Sequence, residues 1–227
     1  MNNIGKEMYK WCQDLFPICR SLTGSGVKET LQYLKDIIPE LEIHSVVSGY
    51  KAFDWRVPKE WNIKDAWIKD PDGNKIVDFK QSNLHVMGYS IPVHKKISLS
   101  ELNKHLYSLP EQRTAIPYIT SYYKERWGFC ITQEQRESLV EGKYEVFIDS
   151  GLEEGVLNYA DLLLPGDSKQ EILLSTYVCH PSMANNELSG PVVVTALTKW
   201  LKSLDRRYSY RILFVPETIG SIVYLSK

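Results

Sequence analysis

At 227 residues, with 43% hydrophobic and 24% charged residues, the chain has an ordinary globular composition, which excludes a disordered or collagen-like polypeptide. Lys and Arg number 27 against 28 Asp and Glu, a formal net charge of −1, and no Lys/Arg block marks a nucleic-acid binder. Four scattered cysteines (Cys12, Cys19, Cys130, Cys179) lack C-x-x-C spacing, the polar start MNNIGKEMYKWCQD is no signal peptide, and apolar runs such as Val192–Leu197 fall short of the ~20 residues of a membrane span. The expectation is a reduced, cytoplasmic protein with neither membrane nor nucleic acid as partner.

Met8, Trp11, Cys12, Leu15 and Phe16 recur at helical spacing and Pro17 ends that helix. After the loop SLTGSG, the stripe Val27, Leu31, Leu34, Ile37, Ile38 predicts a second amphipathic helix, opened at Gly26 and stopped by Pro39. Residues 41–46 read as a strand. From about Ser48 to Tyr144 the texture changes: four of the six Trp lie here, with many Tyr, Pro and Asn. AWIKDPDGNKIVDF predicts a hairpin turned at Asp-Pro-Asp-Gly. A short helix follows Ser98 or Ser100, and TQEQRESLV predicts a helix capped by Thr132. YITSYYKERWGFCI reads as β-rich. The region is expected to be a separate α+β module whose Trp and Tyr residues form its core.

The last third changes again. Glu171 to Val178 is largely apolar and does not alternate, which predicts a strand buried on both faces. Pro191 to Leu204 predicts a helix with Val193, Ala196, Leu197 and Trp200 on its apolar face, and 211–215 a second buried strand. Strand, helix, strand is the pattern of a parallel sheet, in which ligands collect at the carboxyl ends of the strands. Two polar clusters stand there. CHPSMANNELSG (179–190) follows the first strand and PETIGS (216–221) the second, so His180 and Glu217 are expected over one rim, where an imidazole and a carboxylate can bind a metal and activate water. Cys179 reads as a small buried hydrophobe, with His180 on the opposite face of an extended segment. Asn186 can turn its loop.

CHPSMANNELSG followed by FVPETIGS resembles the bacterial aminopeptidase-like family, which is often associated with polysaccharide biosynthesis and belongs to the zinc-dependent aminopeptidase/exopeptidase superfamily. SGYKAFDWRVPKEWNI and SNLHVMGYS resemble the small domain that interrupts these proteins, and CRSLTGSGVKETL fits as well. The resemblance implies an α/β fold: an incomplete doubly wound α/β/α domain of residues 1–47 and 145–227, holding an inserted small α+β domain at 48–144. It implies a zinc cofactor and a peptide or amino-acyl substrate. His180 matches the first metal-ligand histidine, Asn186 stands at a metal-binding aspartate, and Glu217 matches the general-base glutamate. Thr218 stands where many members carry a second metal-binding acid, and Ser182 where they carry a supporting aspartate.

The departures have chemical weight. Asn186 offers a neutral amide in place of a carboxylate, and no histidine follows His180. A catalytic zinc takes three protein ligands and an open position. Glu187 lies one step from Asn186, and in a tight loop that step turns the side chain elsewhere. The expectation is therefore a zinc aminopeptidase-like metallohydrolase that is truncated, binds metal weakly or not at all, and is inactive in its 227-residue form. The alternative is a non-catalytic module whose aromatic insert binds a peptide or glycan.

Overall fold

The structure is a computed structural model and describes residues 3–227. Its elements run α1 (Ile4–Leu15), α2 (Ser25–Ile37), β1 (Glu42–Val47), β2 (Lys51–Ala52), β3 (Trp55–Arg56), β4 (Glu60–Lys69), β5 (Lys75–Asp78), β6 (Val93–Ser98), α3 (Leu99–Leu102), β7 (Leu106–Tyr107), β8 (Phe129–Cys130), α4 (Gln133–Glu137), β9 (Lys143–Glu153), β10 (Val156–Leu164), β11 (Glu171–Tyr177), α5 (Ser189–Lys202), β12 (Ser209–Val215) and α6 (Ile219–Leu225). This is the α/β mixture expected.

The chain divides into two compact units, one ending at Glu60 and resuming over Glu154–Lys227, the other Trp61–Glu153. These borders differ from the expected 47/48 and 144/145. Residues 48–60 carry the insert's composition but bond to the outer unit: Ser48 N–H donates to the Gly155 carbonyl at 2.9 Å, and the Glu60 carboxylate accepts from Val156 N–H at 2.9 Å. Residues 145–153 belong to β9, whose partners lie in the inner unit. Composition does not reveal hydrogen-bond partners.

The outer unit holds a four-stranded sheet in the order β1-β10-β12-β11. Only β11 and β12 are parallel; β10 runs antiparallel to both β1 and β12. One sheet face, with Ala160, Ile212 and Phe214, packs on Leu15, Val27, Leu31, Leu34 and Val194, so the predicted stripe of α2 does face the core. Two expectations are corrected. β11 is an edge strand rather than a strand buried on both faces, and Ile172 and Leu173 are exposed. On α5, the stripe Val193, Leu197, Trp200 is the exposed side, while Val192, Val194, Thr195, Thr198 and Leu201 turn inward. The buried threonines make the inner face look polar in sequence; Thr198 returns its hydroxyl to the Val194 carbonyl at 2.7 Å.

The inner unit is a four-stranded sheet, β5-β4-β9-β6, over a core of Ala66, Ile68, Val77, Phe129, Val146 and Ile148. The predicted hairpin joins β4 to β5, with Gly73 at φ 88° where a left-handed residue is required. Thr132 forms a full capping box with Gln135 at the start of α4. The stretch read as β-rich contributes only the two-residue β8.

Candidate active-site corner

The parallel pair β11 and β12 ends in register, Tyr177 opposite Val215, and Val178 N–H extends the ladder to the Val215 carbonyl at 3.0 Å. His180 stands two residues past Val178 and Glu217 two past Val215, so the topology delivers both to one rim. His180 Nε2 lies 3.3 Å from Glu217 Oε2. His180 is buried; the Glu217 side chain is half exposed, at 52%.

Behind the histidine stands a buried ion network. Glu187 Oε2 lies 3.0 Å from His180 Nδ1. Glu187 Oε1 accepts from Arg20 Nε–H and from the Cys179 backbone N–H, both at 2.9 Å. Arg20 Nε also reaches the His180 carbonyl at 2.9 Å, and Nη1 donates to the Leu15 carbonyl at 2.7 Å. Both charged side chains are fully buried. Burial pulls the Arg20 guanidinium below its ordinary value, and the Glu187 carboxylate pushes it back up. Arg20 Nη2 has no partner among the described residues.

Local backbone explains the arrangement. Ala184–Leu188 form a π-helical turn leading into α5. That wide turn leaves Asn186 exposed and sends Glu187 inward. Gly26 lets α2 approach the Cys19-Arg20 backbone, since a Cβ there would meet the Cys19 carbonyl oxygen at 2.1 Å. A Cβ on Gly190 would meet Thr176 Oγ1 at 2.2 Å, so glycine also seats α5 against β11. After Glu217, Thr218 takes φ 56° and ψ −78°, near the strained γ-turn that a β-branched residue rarely adopts.

The donor set can be tested against zinc. Ligand atoms of Cys179, His180 and Glu217 lie within 4.8 Å of one another. Cys179 and His180 thus converge, with Sγ 3.4 Å from Nδ1, rather than pointing to opposite faces. The strand has ended by then and no pleat separates them. Burial, reinforced by the Glu187 charge, pushes the Cys179 thiol well above its ordinary value, which disfavours a free thiolate nucleophile. Its sulfur instead accepts the Glu217 backbone N–H at 3.2 Å. Asn186, expected as a ligand, gives its backbone carbonyl to the Tyr177 hydroxyl and is exposed. Without Asn186 the grouped donors are Cys179, His180 and Glu217, a set that reaches the three protein ligands of a catalytic zinc only if the buried Cys179 thiol gives up its proton to the metal. Ser182, at the expected supporting-acid position, donates to the Phe16 carbonyl at 2.6 Å. Sequence reasoning missed Arg20 and set Glu187 aside.

Comparison with known proteins defines the class first. A zinc aminopeptidase from Bacillus subtilis superposes on 97% of this chain and 64% of its own at a TM-score of 0.62 with 11% identity, so the chain has an aminopeptidase-like α/β fold. A crystal structure from Clostridium acetobutylicum, provisionally described as a peptidase, is far nearer: 54% identity and a TM-score of 0.95 over 98% of this chain and 52% of that one. Residues 9–227 match the domain of unknown function DUF4910, and the chain belongs to that family. A curated Clostridium acetobutylicum protein, provisionally named a polysaccharide biosynthesis protein with an aminopeptidase-like domain, is 54% identical over 223 residues, which are 98% of this chain and 51% of that protein. The chain spans about half the length of these two relatives.

Proposed function

We propose that this chain supplies the His180–Glu217 wall of a hydrolytic pocket in an aminopeptidase-like protein that cleaves peptide or amino-acyl bonds. The observation that carries the reading is the 3.3 Å approach of His180 Nε2 to Glu217 Oε2 at the ends of adjacent parallel strands. In this reading Glu217 is the general base: exposed on one side, it takes a proton from an attacking water and returns it to the leaving amine. His180 presents Nε2 on the same side. In the full reaction a zinc ion supplies Lewis-acid polarisation of the scissile carbonyl. The described donors reach three only with the buried Cys179 thiol, so no step is derived through the ion, and the 227-residue form is expected to be inactive with weak zinc binding. The relative's name supports a setting in polysaccharide biosynthesis. A cytoplasmic location is part of the same proposal; no described helix is long and apolar enough to cross a membrane.

The test is zinc content together with hydrolysis of aminoacyl p-nitroanilides, on this chain and on a form extended to the relatives' length. Hydrolysis by the extended form, lost on Glu217→Gln, supports the reading. Hydrolysis indifferent to Glu217 overturns it. Binding by an aromatic surface of the insert is less well supported, because Trp61 and Trp127 are buried in the inner unit.

A further inference from the structure

We propose that the inner unit holds a ligand pocket for a small uncharged ring, or a branched aliphatic group of that size, carrying one hydrogen-bond acceptor. The proposal lies beyond the His180–Glu217 corner and does not rest on it.

The core of this unit leaves a partly open cavity of about 110 Å³. Ile68 of β4, Val77 of β5, Leu102 of α3, Leu106 of β7 and Ile131 line it, and all five are buried. Asp70, Gln135 and Ser138 line it too; Asp70 and Gln135 are half-buried and Ser138 is exposed. The lining therefore runs from an apolar floor to a polar rim, the usual build of a small-molecule site. An apolar void of about 150 Å³ walled by such side chains stays dry and takes up benzene. This cavity has slightly less room, and its open side leaves space for a substituent.

A count of donors and acceptors at the rim gives the ligand's chemistry. The Asp70 carboxylate accepts from the backbone N–H groups of Asp72 at 3.0 Å and Asn74 at 2.8 Å, and from the Asn74 amide at 3.1 Å. Ser138 donates its hydroxyl to the Gln135 carbonyl at 2.8 Å. The Tyr144 hydroxyl donates to the Val140 carbonyl at 2.8 Å and accepts the Val140 N–H at 3.0 Å, which pins the rim segment in place. Gln135 Oε1 accepts the Thr132 N–H at 3.0 Å inside the capping box. Its amide NH2 has no hydrogen-bond partner among the described residues, so the donor left to a ligand is this one. Charge is disfavoured: the floor offers an ion no partner, and the Asp70 carboxylate repels an anion at the rim.

The experiment is methyl NMR on the whole chain, labelled at Ile, Leu and Val and titrated at neutral pH with benzene, acetophenone, benzoate and benzylammonium. Benzene is expected to shift the methyls of Ile68, Val77, Leu102, Leu106 and Ile131 saturably and to leave those of Leu34 and Ile212, in the outer unit's core, unmoved. The two ions are expected to bind at least about tenfold more weakly. Acetophenone, whose carbonyl can meet the Gln135 amide, is expected to bind about threefold or more tightly than benzene. Gln135→Glu keeps the capping box, because Glu serves at that position as well, and puts an acceptor where the donor was. It should erase the acetophenone advantage while benzene still binds. Val77→Phe, which fills the cavity, should abolish benzene binding. No saturable shift with benzene, shifts spread over both units, or an ion binding as tightly as benzene overturns the proposal. So does an acetophenone advantage that is absent or that survives Gln135→Glu, or benzene binding that survives Val77→Phe. The wild-type titrations decide even where Val77→Phe does not fold.

Discussion

Each unit of the molecule buries one histidine, and both rings are anchored through Nδ1. In the inner unit His85 Nδ1 meets the Cys130 carbonyl at 2.8 Å. In the outer unit His180 Nδ1 meets a carboxylate at 3.0 Å. A carbonyl fixes a ring; a carboxylate fixes it and also balances charge. The difference extends to the surroundings. His85 is the chain neighbour of Val86 in the apolar core, whereas His180 sits on a buried ion pair beside a strained turn. The inner unit is built for packing. The corner at His180 retains a buried ion pair that a hydrophobic core would not need.

The comparison can be broken most forcefully at Arg20. Arg20→Met leaves Glu187 buried without its counter-charge and should lower stability by about 3–5 kcal/mol in urea denaturation. Arg20→Met with Glu187→Met removes both charges and should recover a large part of that loss. Equal losses in the single and double variants would show that the ion pair is not what holds the corner. Next in size is Thr218→Gly. Relief of its backbone strain, less the added freedom of the unfolded glycine, should raise stability by about 1 kcal/mol. A loss in the same denaturation experiment would mean that the turn is unstrained.

His85 gives a smaller, pH-dependent effect. Burial holds its folded value below the ordinary one of about 6.5, the cost falling on the charged form. The unfolded chain then binds the proton more readily. The full contribution to stability is present above about pH 6.5 and drains away as the pH falls through the folded value. His85→Gln should flatten that acid-side slope in a series of denaturation midpoints, and an unchanged slope would remove His85 from the account. Smallest is the exposed pair Arg113–Glu137. The guanidinium holds Glu137 down to about 2. Solvent screens the pair so well that Glu137→Gln should leave the midpoint unchanged.

How far the molecule was legible depended on the range of the signal. The stripe of α2, the turn at Gly73 and the cap at Thr132 are local patterns, and each appears where its residues point. The meeting of His180 and Glu217 followed from two strands with a helix between them, which is short-range topology. Glu187 was hidden because a π-helical turn has no sequence signature and changes which of two neighbouring residues faces inward. Arg20 was hidden because its partner lies 167 residues away. The outward stripe of α5 misled for another reason: the buried Thr195 and Thr198 look polar, while Val193, Leu197 and Trp200 look like core.

That separation between Arg20 and Glu187 also sets an order of assembly. A ribosome releases the whole inner unit as one uninterrupted stretch, free to close on itself. The guanidinium, made near the start, must wait until residue 187 has left the exit tunnel before its charge is answered, so this corner is among the last parts of the outer unit to form during synthesis.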